Sequence, residues 1–182
     1  MTLNTKTIAG GLGAAFALIL STTLSMADLS NGDGHGAVTG EQGDPSAVTK
    51  TIEITMYDNY YEPEEISVKE GETVRFVITN KGEFVHEFNI ATAEMHAAHA
   101  PEMMMMMEHG VLEPDRINWD AAKAMQASMG HGMHDAPNSA LLEPGQTAEL
   151  IWKFPDHAEL EFACNIPGHY ASGMVGEVDL TH

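Results

Sequence analysis

The only cysteine of this 182-residue chain, Cys164, lies in Ala163-Cys164-Asn165-Ile166-Pro167-Gly168-His169, and Met174 follows five residues later. The spacing is Cys-x4-His-x4-Met. A thiolate, an imidazole and a thioether in one short loop are donors that a copper ion accepts in both oxidation states. Cu(I) prefers soft sulfur and Cu(II) accepts imidazole. A trigonal plane of two His and one Cys, with a weak axial Met, holds both with little rearrangement. The fourth donor must come from elsewhere in the chain. His86 is the best placed, because Phe84, His86, Phe88 and Ile90 share one strand parity, which puts His86 on the side of three apolar neighbours.

Each of these residues has a plainer reading alone. An inward His is more often a satisfied core histidine, a lone Cys an inert buried thiol, and a lone Met ordinary packing. Their concurrence makes coincidence the weaker explanation. A Cys–His nucleophile needs an orienting third group and an oxyanion site, and no cysteine-protease signature is present. Structural zinc usually takes two or more cysteines or a clear His pair, although a Cys with two His can also load zinc.

Two segments must position these donors. In residues 48–90, Val48, Ile52, Ile54 and Met56 alternate with polar residues, as do Ile66 and Val68, and then Val74, Phe76 and Ile78. In residues 139–182 the same period recurs in Ala148, Leu150, Trp152 and Phe154, then in Leu160, Phe162 and Cys164, with Val178 and Leu180 closing the chain. Period two marks strands buried on one face. Many short strands between turns such as Glu70-Gly71 and Pro144-Gly145, without βαβ alternation, predict an all-β sandwich.

Four stretches now resemble the cupredoxins, the single-domain blue-copper family. Tyr61-Glu62-Pro63-Glu64-Glu65-Ile66-Ser67-Val68, with Gly71 and Val74, is similar to the family's opening strand and turn. Phe84-Val85-His86-Glu87-Phe88 resembles its first-histidine strand. Leu142-Glu143-Pro144-Gly145-Gln146-Thr147 resembles its Pro-Gly turn. Phe162 to His169, with Gly173-Met174-Val175-Gly176, resembles its ligand loop. The match covers residues 48–90 and 139–182. It implies a Greek-key sandwich with one type 1 copper near one end, held by His86, Cys164, His169 and Met174. One residue departs from the pattern: Glu87 stands where the family often has the Asn or Ser that braces the cysteine loop. A carboxylate near the thiolate is expected to shift the potential or colour of the site.

Residues 91–138 interrupt the β pattern and hold nine of the thirteen methionines (Met95, Met103 to Met107, Met125, Met129, Met133) and five of the ten histidines (His96, His99, His109, His131, His134). Pro101 and Gly110 are expected to bracket a short helix, and Asn118 to cap a second from Trp119 to Met129, stopped by Gly130. Five consecutive methionines cannot all face a core if helical. Adaptable packing, a protein-binding surface or an oxidation sink would each use them, but thioethers and imidazoles interleaved beside a copper site point to further copper bound by this insertion. The departure resembles the Met/His-rich periplasmic cupredoxins of copper tolerance.

The N-terminus reads as a processing segment. Lys6 gives a basic start, Ile8 to Leu20 a short apolar run, and Ser25-Met26-Ala27 a cleavage site, so residues 1–27 are expected to be a signal peptide removed after Ala27. Residues 28–47, rich in Gly with few large apolar groups, read as a flexible tail carrying an incidental His35. Residues 48–182 form the expected single domain, with the insertion at 91–138. Loss of residues 1–27 removes only the charge of Lys6 and takes the net charge from −19 to −20. So acidic a surface repels nucleic acid and anionic lipid and attracts cations.

The expectation is a periplasmic, monomeric copper protein of copper tolerance. It would bind copper ions, need no membrane after cleavage, and be able to oxidise or relay Cu(I) to a redox partner protein. The alternative is a diffusible electron carrier of a respiratory or photosynthetic chain, for which the acidic surface favours a basic partner. A multicopper enzyme would need more copper centres, and a two-copper entry centre a second cysteine. His157 and His182 are expected to be surface groups.

Overall fold

Alternating apolar residues build two five-stranded sheets. The computed structural model describes residues 39–129 and 136–182. The expected signal peptide, most of the expected tail with His35, Gly130, His131, Met133 and His134 lie outside the described residues. The first sheet has the order β1 (Glu41–Gln42), β8 (Thr147–Lys153), β5 (Thr73–Asn80), β2 (Lys50–Tyr57), β3 (Tyr60–Glu62). The second runs β4 (Glu65–Lys69), β10 (Val175–Thr181), β9 (Glu161–Ala163), β6 (His86–Ala91), β7 (Ser139–Leu142). β2 pairs parallel with β5, and β10 with β4; the other pairs are antiparallel.

The inward parities meet as expected. Ile54, Met56, Val74, Phe76, Ile78, Leu150 and Trp152 from the first sheet face Ile66, Val68, Phe88, Ile90 and Phe162 from the second, all buried. Aromatic rings form the centre: Phe88 lies 5.4 Å from Phe76 and 5.3 Å from Phe162, and Tyr61 meets Phe162 edge-on at 5.0 Å. The Tyr61 hydroxyl donates to the Glu87 carbonyl at 2.6 Å, so its burial leaves no orphan donor. Phe84 departs from its expected parity: it precedes β6 and stays exposed.

Two expectations are corrected. Residues 39–47 are not the flexible tail expected there. Thr39 is buried, its carbonyl accepts the Trp152 indole N–H at 2.8 Å, and β1 pairs with β8. Gly40 lies against Trp152 so closely that a β-carbon there would fall on the indole and on the Lys153 carbonyl. Gly40 and Gly43, two of the glycines that suggested flexibility, therefore serve close packing.

The first helix also begins earlier than Pro101. α1 spans Ala93–Glu108 with Pro101 inside it. The Thr92 hydroxyl caps it by accepting the Met95 N–H at 3.3 Å, and the His96 N–H reaches the Thr92 carbonyl at 3.0 Å. A proline inside a helix removes one backbone bond and disfavours helix just before it. Buried His96 on one side of Pro101, with Met103 and Met106 on the other, holds the helix across that break. α2 spans Trp119–Met129, with the Asn118 side chain accepting the Ala121 N–H at 3.0 Å.

All six residues of β6 are buried, including Glu87 and Asn89 on the face away from the core. A groove of about 930 Å³ between that face and the insertion is lined by Glu87, Met95, His99, Glu102, Met103 and Met106, among others.

Candidate metal centre

His86 opens β6, and the turn before it is held by side chains. The Asn80 amide donates to the Phe84 carbonyl at 2.8 Å and the Leu142 carbonyl at 2.9 Å, while its oxygen accepts the Gly82 N–H at 2.9 Å. The insertion adds one tie, from the Val85 N–H to the Pro114 carbonyl at 2.7 Å.

Cys164 follows β9, and the loop after it closes on itself. The His169 N–H donates to the Ile166 carbonyl, a short 3-10 turn spans Tyr170–Ser172, and Gly173 takes φ 97°, a region that favours glycine. The loop then returns to its start: the Met174 N–H donates to the His169 carbonyl at 3.0 Å and the Cys164 N–H to the Met174 carbonyl at 3.1 Å. The Cys-x4-His-x4-Met spacing is the length of this closed loop.

These two segments bring Cys164, His86 and His169 together. Cys164 Sγ lies 3.4 Å from His169 Nδ1 and 4.0 Å from His86 Nδ1, and the two Nδ1 atoms are 3.2 Å apart. The point equidistant from all three atoms lies about 2.1 Å from each, a usual metal–nitrogen length and slightly short for sulfur. The donor set and its spacing fit a metal ion. Met174 is fully buried beside them, while His169 is partly exposed.

Burial pushes the Cys164 thiol up to about 12, against the opposing pull of the Glu87 and Ile166 backbone amides. Burial, reinforced by the neighbouring His86, lowers His169 to about 4, against the pull of Asp58. Burial lowers His86 too, and Asp58 opposes it. Without a cation the site therefore holds a neutral thiol and neutral imidazoles, and a cation must displace the thiol proton.

Two carboxylates support the cluster. Asp58, in the turn between β2 and β3, places Oδ1 3.0 Å from His86 Nε2 and also accepts the Glu83 N–H at 3.0 Å. That contact keeps the proton on Nε2 and turns the Nδ1 lone pair toward Cys164. The sequence reading missed Asp58; no spacing rule links position 58 to position 86, and only the folded turn brings them together. Glu87 is the departure already noted, and its role is structural. Its carboxylate accepts the Asn165 N–H at 3.2 Å, the Asn165 amide at 2.8 Å and the Ser139 hydroxyl at 2.7 Å, and its own N–H donates to Cys164 Sγ at 3.3 Å. Burial raises its carboxyl, but bonds from His99, Ser139 and Asn165 outweigh that and hold it below the ordinary range. The carboxylate thus braces the cysteine loop.

The insertion reaches the same place. His96 Nδ1 lies 3.1 Å from Asn165 Oδ1, and His99 lies 3.7 Å from Glu87 Oε1 and 3.0 Å from Glu102 Oε2. These contacts were also absent from the sequence reading. An i, i+3 pair of histidines on a helix whose start was misplaced gave no sign of its direction.

The cupredoxin-like domain family matches residues 15–100, a span that includes His86 and stops before the cysteine loop. The copper-resistant cuproprotein CopI of Pseudomonas aeruginosa is 43% identical over 171 residues, covering 88% of this chain and 92% of that protein. The chain belongs to the cupredoxin family. A second relative, the copper-resistant cuproprotein CopI of Rubrivivax gelatinosus, is 36% identical over 140 residues, covering 76% of this chain and 71% of its own. Among solved structures, auracyanin B superposes with a TM-score of 0.54 at 18% identity, covering 79% of this chain and 97% of its own, a likeness of fold.

Proposed function

We propose that this cupredoxin is a periplasmic copper-binding protein of copper tolerance. The carrying observation is the convergence of Cys164 Sγ with the Nδ1 atoms of His86 and His169. The likeness to two copper-resistant cuproproteins over most of the chain supports the role. His86, Cys164 and His169, with Met174 from the same loop, would hold the copper ion. Copper bound there supplies one-electron chemistry with little rearrangement. Asp58 orients His86, the closed loop sets Cys164 against His169, and Glu87 holds that loop to β6. An exported chain whose signal peptide is removed after Ala27, acting as a monomer, fits this reading. Among the described residues, no helix is long and apolar enough to cross a membrane.

The insertion is proposed to take additional copper as cargo. Met104 and Met107 lie three residues apart on α1 and are exposed, and Met129 is exposed at the end of α2. Exposed thioethers suit Cu(I). His96 and His99 connect the same helix to Asn165 and Glu87 beside Cys164, so cargo on α1 would sit close to the type 1 donors, favouring oxidation or relay of Cu(I) with a redox partner protein taking the electron. The test is to count bound copper in the metal-stripped protein, first with Cu(II) in air and then with Cu(I) anaerobically. One Cu(II) at Cys164, with further Cu(I), supports the reading. One copper in each state removes the role of the insertion.

A further inference from the structure

We propose that Glu70, His157 and His182 form a second cation site, separate from Cys164, for a borderline divalent ion such as Cu(II) or Zn(II). Three distant parts of the chain supply it: the turn after β4, the connection from β8 to β9, and the residue following β10. His157 Nδ1 lies 2.9 Å from Glu70 Oε1 and His182 Nδ1 lies 3.0 Å from Glu70 Oε2. The two rings are 5.5 Å apart, and one donor atom from each of the three residues falls within 4.8 Å of the others.

The carboxylate is fixed in place. Glu70 is 16% exposed at its side chain, its N–H donates to the Thr181 carbonyl at 2.9 Å, and Oε1 also accepts the His157 backbone N–H at 2.9 Å. His157 makes that last bond from φ 53°, a left-handed conformation uncommon for a residue with a β-carbon. The imidazoles are the opposite, 76% and 79% exposed, and free to move their ring protons to Nε2 as a cation replaces them at Nδ1. Asp156, next to His157, and Glu72, two residues from Glu70, add negative charge, offset in part by Lys50 and Lys69 near Glu72 and by Lys153 near Asp156.

The donors select the ion. Two imidazoles and a carboxylate without sulfur suit Cu(II) or Zn(II) and discriminate against Cu(I). The place separates this site from the first. β10 begins beside the Cys164 loop and ends at Thr181, and its seven residues put about 20 Å between the two groups. The proposal stands whether or not the type 1 reading holds. An ion pair that merely pins the end of β10 would use the same hydrogen bonds but would not bind a metal.

The test is a Zn(II) titration of the metal-stripped protein, following the imidazole nitrogen resonances of each histidine, beside Glu70→Gln and His157→Ala/His182→Ala variants. The expected result has His157 and His182 shifting together and saturating with one bound Zn(II), counted apart from any Zn(II) taken up at Cys164. The double variant binds one Zn(II) fewer by equilibrium dialysis, and Glu70→Gln weakens that event by about tenfold or more. Circular dichroism and urea midpoints close to those of the parent chain in all variants confirm that they fold. Unmoved His157 and His182 signals, equal Zn(II) counts, or an unaltered affinity in Glu70→Gln would overturn the proposal.

Discussion

Asp58 Oδ1 stands 3.0 Å from His86 Nε2, so an imidazole whose Nδ1 faces Cys164 is oriented from behind by a carboxylate. A negative charge there stabilises Cu(II) more than Cu(I). Asp58→Asn keeps an oxygen for the His86 N–H and removes the charge. The expected result is Cu(II) affinity weakened about tenfold, which for a one-electron couple with unchanged Cu(I) affinity is a rise in potential of about 60 mV. Protein-film voltammetry with a competitive Cu(II) titration checks both.

Gly82 covers the same hydrogen bond. A β-carbon at Gly82 would fall on Asp58 Oδ1 and lie 2.9 Å from His86 Nε2. Gly82→Ala must push the pair apart, so it is expected to alter the thiolate-to-copper band and to weaken copper binding about tenfold. Paired visible spectra and affinity measurements check this; an unchanged band would show that His86 does not depend on Asp58.

Glu87→Ala strips the partner from the Asn165 N–H and amide and from the Ser139 hydroxyl, all buried or half-buried. Leaving such donors unpaired is expected to cost about 3 kcal/mol of folding stability. Glu87→Gln, which can still accept, should cost less than half of that. Urea denaturation of the two variants measures the difference.

The five consecutive methionines divide by burial. Met103 and Met106 are buried and Met104 and Met107 are exposed. Met103→Ala and Met106→Ala are expected to destabilise by about 2–5 kcal/mol. Met104→Ala and Met107→Ala should stay within about 0.5 kcal/mol and instead lower the Cu(I) count, which thermal melts and anaerobic Cu(I) titration separate.

His99 gives the fold a pH dependence. The Glu87 bond raises its affinity for protons, burial opposes, and Glu102 adds to the rise. A histidine raised above its ordinary 6.5 stabilises fully below that value and loses the contribution as pH climbs through its folded value. Replacing His99 by Gln should therefore cost more stability at pH near 5.5 than near 8.5, both above the ordinary carboxylate range. Urea midpoints at the two pH values test it, and an equal cost at both would contradict the ion pair.

Strand parity made the sandwich legible, because Val74, Phe76 and Ile78 or Leu150, Trp152 and Phe154 each record which side is buried. The cysteine loop was legible because a single closed turn fixes the spacing of Cys164, His169 and Met174. Asp58 and the Glu70–His157–His182 group were not, because their members meet only through tertiary packing. The start of α1 was misread because Pro101 is a strong local signal, overridden here by the Thr92 cap and by buried side chains on both sides. The tail was misread for a similar reason. Gly40 and Gly43 are compatible with flexibility, but here they permit close approach to Trp152 and Ile151.

Stepwise Cu(II) addition to the metal-stripped protein and to Cys164→Ser, with the visible spectrum recorded at each step, tests the central claim most directly. One intense thiolate-to-copper band saturating at one equivalent, and absent from Cys164→Ser, is the predicted result. Cu(II) binding with no intense band, or a band that survives in Cys164→Ser, would contradict the assignment of Cys164, His86, His169 and Met174 as the copper donors.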